Sequence, residues 1–248
     1  MYHDDFYRRP ELYDLEYQEQ EEDLAYYQAL ARSAGRVLEL GAGSGRVTLP
    51  MASTGASVVA VDLSSAMLSR LRSRLEDCSL PIEVVHGDFT ELTLDRRFPL
   101  VVMAFNTIHH IHTSEEILKV FAVVKAHLEP GGRFALDLLV PDPEFFARDP
   151  EGIYEERIDE DPHSGGRMRS WENGWYDEIT QINHVHYHFQ RANGELQTIH
   201  MPMRMYYPQE FLYLARRAGF SLIQCDGDFK GTPLRRGASK MALVFGKA

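Results

Sequence analysis

The chain has 248 residues, with 26 Lys and Arg against 37 Asp and Glu for a formal net charge of −11. Its 44% hydrophobic and 25% charged content is that of a folded globular protein, and no run of about 18 apolar residues reads as a membrane span. The acidic balance argues against a dedicated DNA or RNA binder, which needs clustered basic side chains, and a small-molecule enzyme fits better.

Met1-Tyr2-His3-Asp4-Asp5 opens the chain without the basic-then-apolar pattern of a secretory signal. Residues 2–22 are rich in tyrosine and acids and have no clear period. Helical spacing of Leu24, Tyr27, Leu30, Ala31 and Ala34 then predicts a helix ended by Gly35. Strand and helix signals alternate from there. Residues 36–40 make a short apolar strand, followed by a glycine loop and a helix to about Ser53. Residues 57–61 make a second strand, and Met67, Leu68, Leu71 and Leu75 stripe the next helix. Residues 82–85 and 100–105 give a third and a fourth strand. Thr113 and Glu116 suggest a capping box ahead of Ile117, Leu118, Phe121 and Val124. That helix ends near Leu128, and Pro130-Gly131-Gly132 leads into a fifth strand at 134–139. Such alternation predicts an α/β, Rossmann-like doubly wound sheet, mostly parallel and covered on both faces.

After Val140 the rhythm changes. Residues 141–180 are dense in proline, glycine and acids and hold both tryptophans, Trp171 and Trp175. Two runs of period-2 alternation, 181–190 and 195–206, flank Asn193-Gly194, a strong hairpin signal. Pro202 in the second run predicts an edge strand or a bulge. Pro208 opens a helix with Phe211, Leu212 and Ala215 inward, Gly219 caps it, and 221–225 and 241–245 are the last strands, the final one antiparallel. The expected organisation is one domain over 1–248, with a cofactor-binding half at 36–140 and an inserted β-hairpin lid at 141–206 that makes no core of its own. Cys78 and Cys225 are too few for a disulfide scaffold or a four-thiolate zinc site, so a reduced, cytoplasmic protein is expected, as monomer or homodimer.

Glu39-Leu40-Gly41-Ala42-Gly43-Ser44-Gly45-Arg46 joins a predicted strand to a predicted helix, where glycines let the backbone turn sharply and a ligand approach closely. A dinucleotide fingerprint would need glycine where Arg46 stands, and no Lys-Ser/Thr follows to make an ATP phosphate loop. Asp62 closes the second strand, where a carboxylate can accept both hydroxyls of a ribose. With these residues the sequence resembles the class I S-adenosylmethionine-dependent methyltransferases, whose first motif is an acid followed by Gly-x-Gly-x-Gly. Val61-Asp62-Leu63-Ser64-Ser65-Ala66-Met67-Leu68 looks like their ribose-binding motif and Gly87-Asp88-Phe89 like their adenine-binding segment. Phe105-Asn106-Thr107-Ile108-His109-His110 looks like the motif beside the reacting methyl, and Pro130-Gly131-Gly132-Arg133 like the turn before strand five. The resemblance covers about 35–140 and 207–246. It implies S-adenosylmethionine as cofactor, leaving as S-adenosylhomocysteine. Gly41, Ala42, Gly43 and Gly45 would let backbone approach its methionine part, and Asp62 would bind the ribose. Leu63 and Met67 would lie against the adenine, Asp88 would accept from its amino group, Phe89 would donate its amide to the ring, and Asn106 would complete the cofactor site. Met67 and Phe89 read equally well as core.

Methyl transfer is a displacement on a carbon already activated by its sulfonium leaving group, so alignment does most of the work and a base matters only for a protonated acceptor. His109 and His110, directly after the fourth strand, are the candidates for touching the acceptor, with His110 as base. Tyr17, the second catalytic candidate, lies with Tyr13 in a segment that in similar small-molecule methyltransferases folds over the cofactor; packing against the first helix is the alternative. Trp171, Trp175 and Tyr176 either wall the acceptor pocket or anchor the insertion. Arg204 and Tyr206 stand where sugar-amine and glycine-type N-methyltransferases place a closing segment, which favours a small polar acceptor. His184, His186 and His188 share one strand face with His200 opposite, but no acid or cysteine joins them at ligand spacing, so a polar face is expected and no metal. A cofactor-binding protein with a regulatory role is the alternative function, and a nucleic-acid methylase is disfavoured because Asn106-Thr107-Ile108-His109 replaces an Asn/Asp-Pro-Pro-aromatic motif.

Overall fold

The computed structural model describes residues 5–247; Met1 to Asp4, which begin the tyrosine-rich stretch, and Ala248 lie outside the described residues. After a short 3₁₀ turn the chain forms α1 (Pro10–Glu16), α2 (Leu24–Ala34), β1 (Arg36–Leu40), α3 (Thr48–Ser53), β2 (Ser57–Asp62), α4 (Ser65–Leu75), β3 (Ile82–His86) and β4 (Phe98–Met103). Then follow α5 (Ser114–His127), β5 (Leu128–Leu139), the single turn α6 (Pro143–Phe146), β6 (Tyr154–Glu160), β7 (Arg167–Asp177), β8 (Ile182–Arg191) and β9 (Leu196–Arg204). α7 (Pro208–Arg217), β10 (Phe220–Asp226) and β11 (Lys240–Lys247) close the chain.

Seven strands form one sheet in the order β10-β11-β5-β4-β1-β2-β3, with β11 antiparallel to both β5 and β10 and the rest parallel. Each central strand offers apolar side chains to both faces. Leu38, Val101, Leu136 and Leu243 pack under α5 and α7, while Val37, Val58, Leu100 and Val102 pack under α2 and α3. The box at Thr113 and Glu116 closes in both directions and fixes the start of α5. The chain runs from β1 to β2 and β3 on one side and to β4 and β5 on the other. That reversal opens a crevice at the strands' carboxyl ends, where open α/β sheets hold ligands.

The insertion is larger than a hairpin. β8 and β9 do form one across Asn193-Gly194, with Pro202 on the edge strand β9, but β6 and β7 extend it to a four-stranded antiparallel sheet. Contrary to the expectation of no separate core, Val185, Tyr187, Phe189, Ile199, Met201 and Met203 bury one face together with Phe6 and Leu12. The physical reason is that the N-terminal segment covers this face, with Phe6 and Leu12 buried in it and Tyr13, Leu15 and Tyr17 packed against it. Neither segment could bury its apolar face alone.

Candidate active site

The glycine loop leaves β1 with Gly41 at φ +81°, and a Cβ there would stand 2.4 Å from the Thr107 methyl. Glycine is required on both counts. The loop, the ends of β2 and β3 and the turn after β4 enclose a cavity of about 490 Å³. Gly41, Ala42, Gly43, Asp62, Leu63, Asp88 and Phe89 all line it. The Gly43 and Ser64 amides donate to the two Asp62 carboxylate oxygens at 2.7 and 2.8 Å, which fixes the group in the wall. Of about four lone-pair sites on a carboxylate, two stay available for a diol. Burial raises the Asp62 pKa, opposed by those amides. A glycine cradle facing a held carboxylate at the end of the second strand fits a ribose-bearing cofactor. Asp88 caps its own turn by accepting from the amide and hydroxyl of Thr90.

Three residues expected at the cofactor stand elsewhere. Met67 is fully buried and outside the cavity wall, because its place on α4 points into the protein. Gly45 is also outside the wall; a Cβ there would stand 2.5 Å from Leu71, so this glycine serves close packing of the loop on α4. Asn106 lines a second chamber and its backbone amide donates to Asp137 at 3.1 Å.

That second chamber, about 230 Å³, shares Tyr7, Tyr13, Phe105 and His110 with the first and extends to Tyr17, Asp137, Tyr187, Met201 and Met203. The Tyr17 hydroxyl lies 3.0 Å from that of Tyr187. His110 Nε2 lies 2.5 Å from the Tyr7 hydroxyl where the chambers meet, and burial pushes its pKa down to about 3. A ring so reluctant to hold a proton is a poor general base. Arg46 lies 4.0 Å over the Phe105 ring and binds Asp23 with two bonds of 2.8 and 2.6 Å.

His109 faces neither chamber. It is fully buried, its Nδ1 donates to the Arg204 carbonyl at 2.5 Å and its Nε2 accepts from the Leu139 amide at 2.9 Å. These bonds fix the neutral tautomer, and burial lowers the pKa to about 4. The Arg204 guanidinium donates to the His112 carbonyl, to Gln181 and to Glu210, so it ties the insertion to α7 and does not meet an acceptor. Trp175 and Tyr176 are corrected too. Trp175 is 46% exposed and stacks on His184, while Tyr176 stacks on Phe146 at 3.9 Å, both around a separate small recess. The alternation of β7 turns Trp171 and Trp175 to the outer face, beside the histidines. Among the described residues no group of three or more His, Cys, Asp or Glu is placed to hold a metal, and no helix is long and apolar enough to cross a membrane.

The reading along the chain missed Tyr7 and Asp137. Tyr7 sat in a stretch without period and gave no signal. Asp137 did give one: an acid amid the apolar run Phe134-Ala135-Leu136-Asp137-Leu138-Leu139.

A family model described as a methyltransferase domain matches residues 37–132. The cypemycin N-terminal methyltransferase of a Streptomyces species is 30% identical over 223 residues, covering 84% of this chain and 82% of that protein. Among solved structures, the CcbJ methyltransferase of Streptomyces caelestis aligns with a TM-score of 0.77 and 25% identity over 94% of each chain. S-adenosylmethionine-bound CalS10, an amino pentose methyltransferase of Micromonospora echinaspora, aligns with a TM-score of 0.72 and 19% identity over 94% of this chain and 96% of its own.

Proposed function

The chain belongs to the S-adenosylmethionine-dependent methyltransferases, and from that premise we propose that it methylates a nitrogen of a small acceptor held in the second chamber. The observation that carries this is the junction: Tyr7, Tyr13, Phe105 and His110 wall both chambers, so a group in one faces a group in the other. Nitrogen is favoured by the names of two similar proteins, one acting at an N-terminus and one on an amino sugar. When bound, S-adenosylmethionine supplies a methyl group activated by its sulfonium. Gly41 and Gly43 would admit its methionine part, Asp62 would accept from the ribose, and Leu63, Asp88 and Phe89 would bracket the base. The half at 36–140 then holds the cofactor, while the insertion at 141–206 closes the acceptor side with the apolar face of β8 and β9. Tyr17 and His110 orient the acceptor and exclude water, His110 through Tyr7 and not by taking a proton. A cytoplasmic location belongs to the same reading, supported by Cys78 and Cys225 being unpaired.

Titration calorimetry tests this. S-adenosylhomocysteine should bind in the micromolar range, about −8 kcal/mol. Asp62→Ala should weaken it by roughly 1.5–3 kcal/mol, the usual worth of a hydrogen bond to a charged group. Absence of heat with either form of the cofactor, or unchanged affinity in Asp62→Ala, sinks the assignment.

A further inference from the structure

Resting on the placement of the acceptor in the second chamber, we infer that this chamber is a cation site: it takes an aliphatic ammonium group, with the Asp137 carboxylate as counter-charge and the rings of Tyr13, Tyr17 and Tyr187 as walls. The charges lining the chamber lead there. Glu22, Asp23 and Asp137 are its carboxylates. Glu22 is paired with Lys240, and Asp23 with Arg46. Asp137 has no ion pair among the described residues, although it is only 3% exposed. One negative charge is left over, and it lies in the wall.

Asp137 is held in place for such a role. Its Oδ1 accepts from the Tyr27 hydroxyl at 2.5 Å and the Phe105 amide at 2.7 Å, and its Oδ2 from the Asn106 amide at 3.1 Å. Phe105 and Asn106 both stand at positive φ, +54° and +61°, a conformation non-glycine residues rarely take. Successive amides of a turn aimed at one anion form a fixed anion cradle. Oδ2, with one donor, has an open lone pair to face a cation in the chamber. Burial without a cation raises the carboxyl pKa to about 6, and an ammonium beside it would bring that down. A neutral or anionic acceptor would leave the charge unmatched.

The walls suit the same ligand. Aromatic faces attract cations, most strongly where water is excluded. The Phe105 face already carries Arg46, and Lys240 lies 5.2 Å from the Phe229 ring. Tyr13 and Tyr17 remain, with the face of Tyr187 that is not stacked on Phe6. Tyr13 and Tyr17 meet edge to face at 4.8 Å, Tyr187 bonds to Tyr17, and burial raises the pKa of all three phenols, so they are uncharged at neutral pH.

The test uses the full chain saturated with S-adenosylhomocysteine and two probes of one shape: choline, and its uncharged isostere 3,3-dimethylbutan-1-ol. Binding is measured by saturation-transfer NMR and calorimetry. Choline should bind at least about tenfold more tightly than the isostere, and that preference should vanish in Asp137→Asn. Tyr17→Leu should weaken choline by about tenfold, whereas Tyr17→Phe, which keeps the ring, should stay within about twofold; these variants keep the test open if Asp137→Asn does not fold. Equal binding of the two probes, or an undiminished preference in folded Asp137→Asn, overturns the cation site while bound S-adenosylhomocysteine leaves the methyltransferase reading intact. Failure of S-adenosylhomocysteine to bind the unaltered chain would instead remove the premise of both.

Discussion

Glu39 and Asp137 are acids placed inside apolar strands, and each owes its tolerance there to donors that fold with it. Glu39 is 1% exposed, accepts from the Thr48 hydroxyl at 2.5 Å, and has its pKa pushed up to about 8, chiefly by burial. Between its usual value of 4.5 and about 8 the folded chain holds a proton that the unfolded chain has released. Stability contributed here therefore falls as pH rises across that window and is flat above it. Glu39→Gln keeps the shape and removes the titration, so its melting temperature should fall less than that of the unaltered chain between about pH 5 and 8. Thermal melts at several pH values check this. Parallel falls in both proteins would assign the effect to another group.

Among the elements, the His109 ring is the joint between the turn after β4, the end of β5 and the end of β9. His109→Ala leaves the Leu139 amide and the Arg204 carbonyl unpaired, costing roughly 1–3 kcal/mol for each. Urea unfolding should report the loss, while affinity for S-adenosylhomocysteine stays near that of the unaltered chain; a large loss of affinity with intact stability would return His109 to the binding site. The two histidines at 109 and 110 are neighbours in sequence with opposite roles, and no periodicity separates them. What the sequence did carry was strand-end chemistry: Asp62 and the glycine loop are local features of turns, so the wall of the first cavity was legible. The second chamber was not, because it is built from distant pieces. Residues 7, 13 and 17 meet 187, 201 and 203 only through the tertiary fold. β6 was missed for a related reason. Its Tyr154-Glu155-Glu156-Arg157-Ile158-Asp159-Glu160 is charged on both faces, the composition of an exposed edge strand that resists pairing with other chains. Trp175 misled in the opposite direction, since aromatic character alone does not say which face of β7 a ring occupies, and Tyr176, on the other face, is taken up by stacking on Phe146.

At the scale of the molecule, the N-terminal segment is the clasp between the two sheets. Phe6 and Leu12 are buried against the insertion, while Tyr7, Arg8 and Tyr13 line the first cavity, the proposed cofactor site. Asp14 reaches Arg70, Arg74 and Ser44 on the cofactor side, and Glu16 accepts two bonds from Arg157 of β6 on the other. A ligand enclosed beneath Tyr7 and Arg8 must lose those contacts when the segment opens, so binding and closure are thermodynamically linked. Trypsin can report on the opening. Arg8 is exposed and precedes Arg9, whereas Arg9 precedes Pro10 and makes a poor site. Proteolysis that requires local opening follows the population of the open form when reclosing is fast. S-adenosylhomocysteine at about a hundred times its dissociation constant adds about 2.7 kcal/mol to any opening that excludes it. Cleavage after Arg8 should then slow by up to about a hundredfold, and Asp62→Ala should regain much of the lost rate at the same ligand concentration. A cleavage rate indifferent to saturating ligand would mean that the segment opens without disturbing the cofactor, and that the clasp holds the insertion alone.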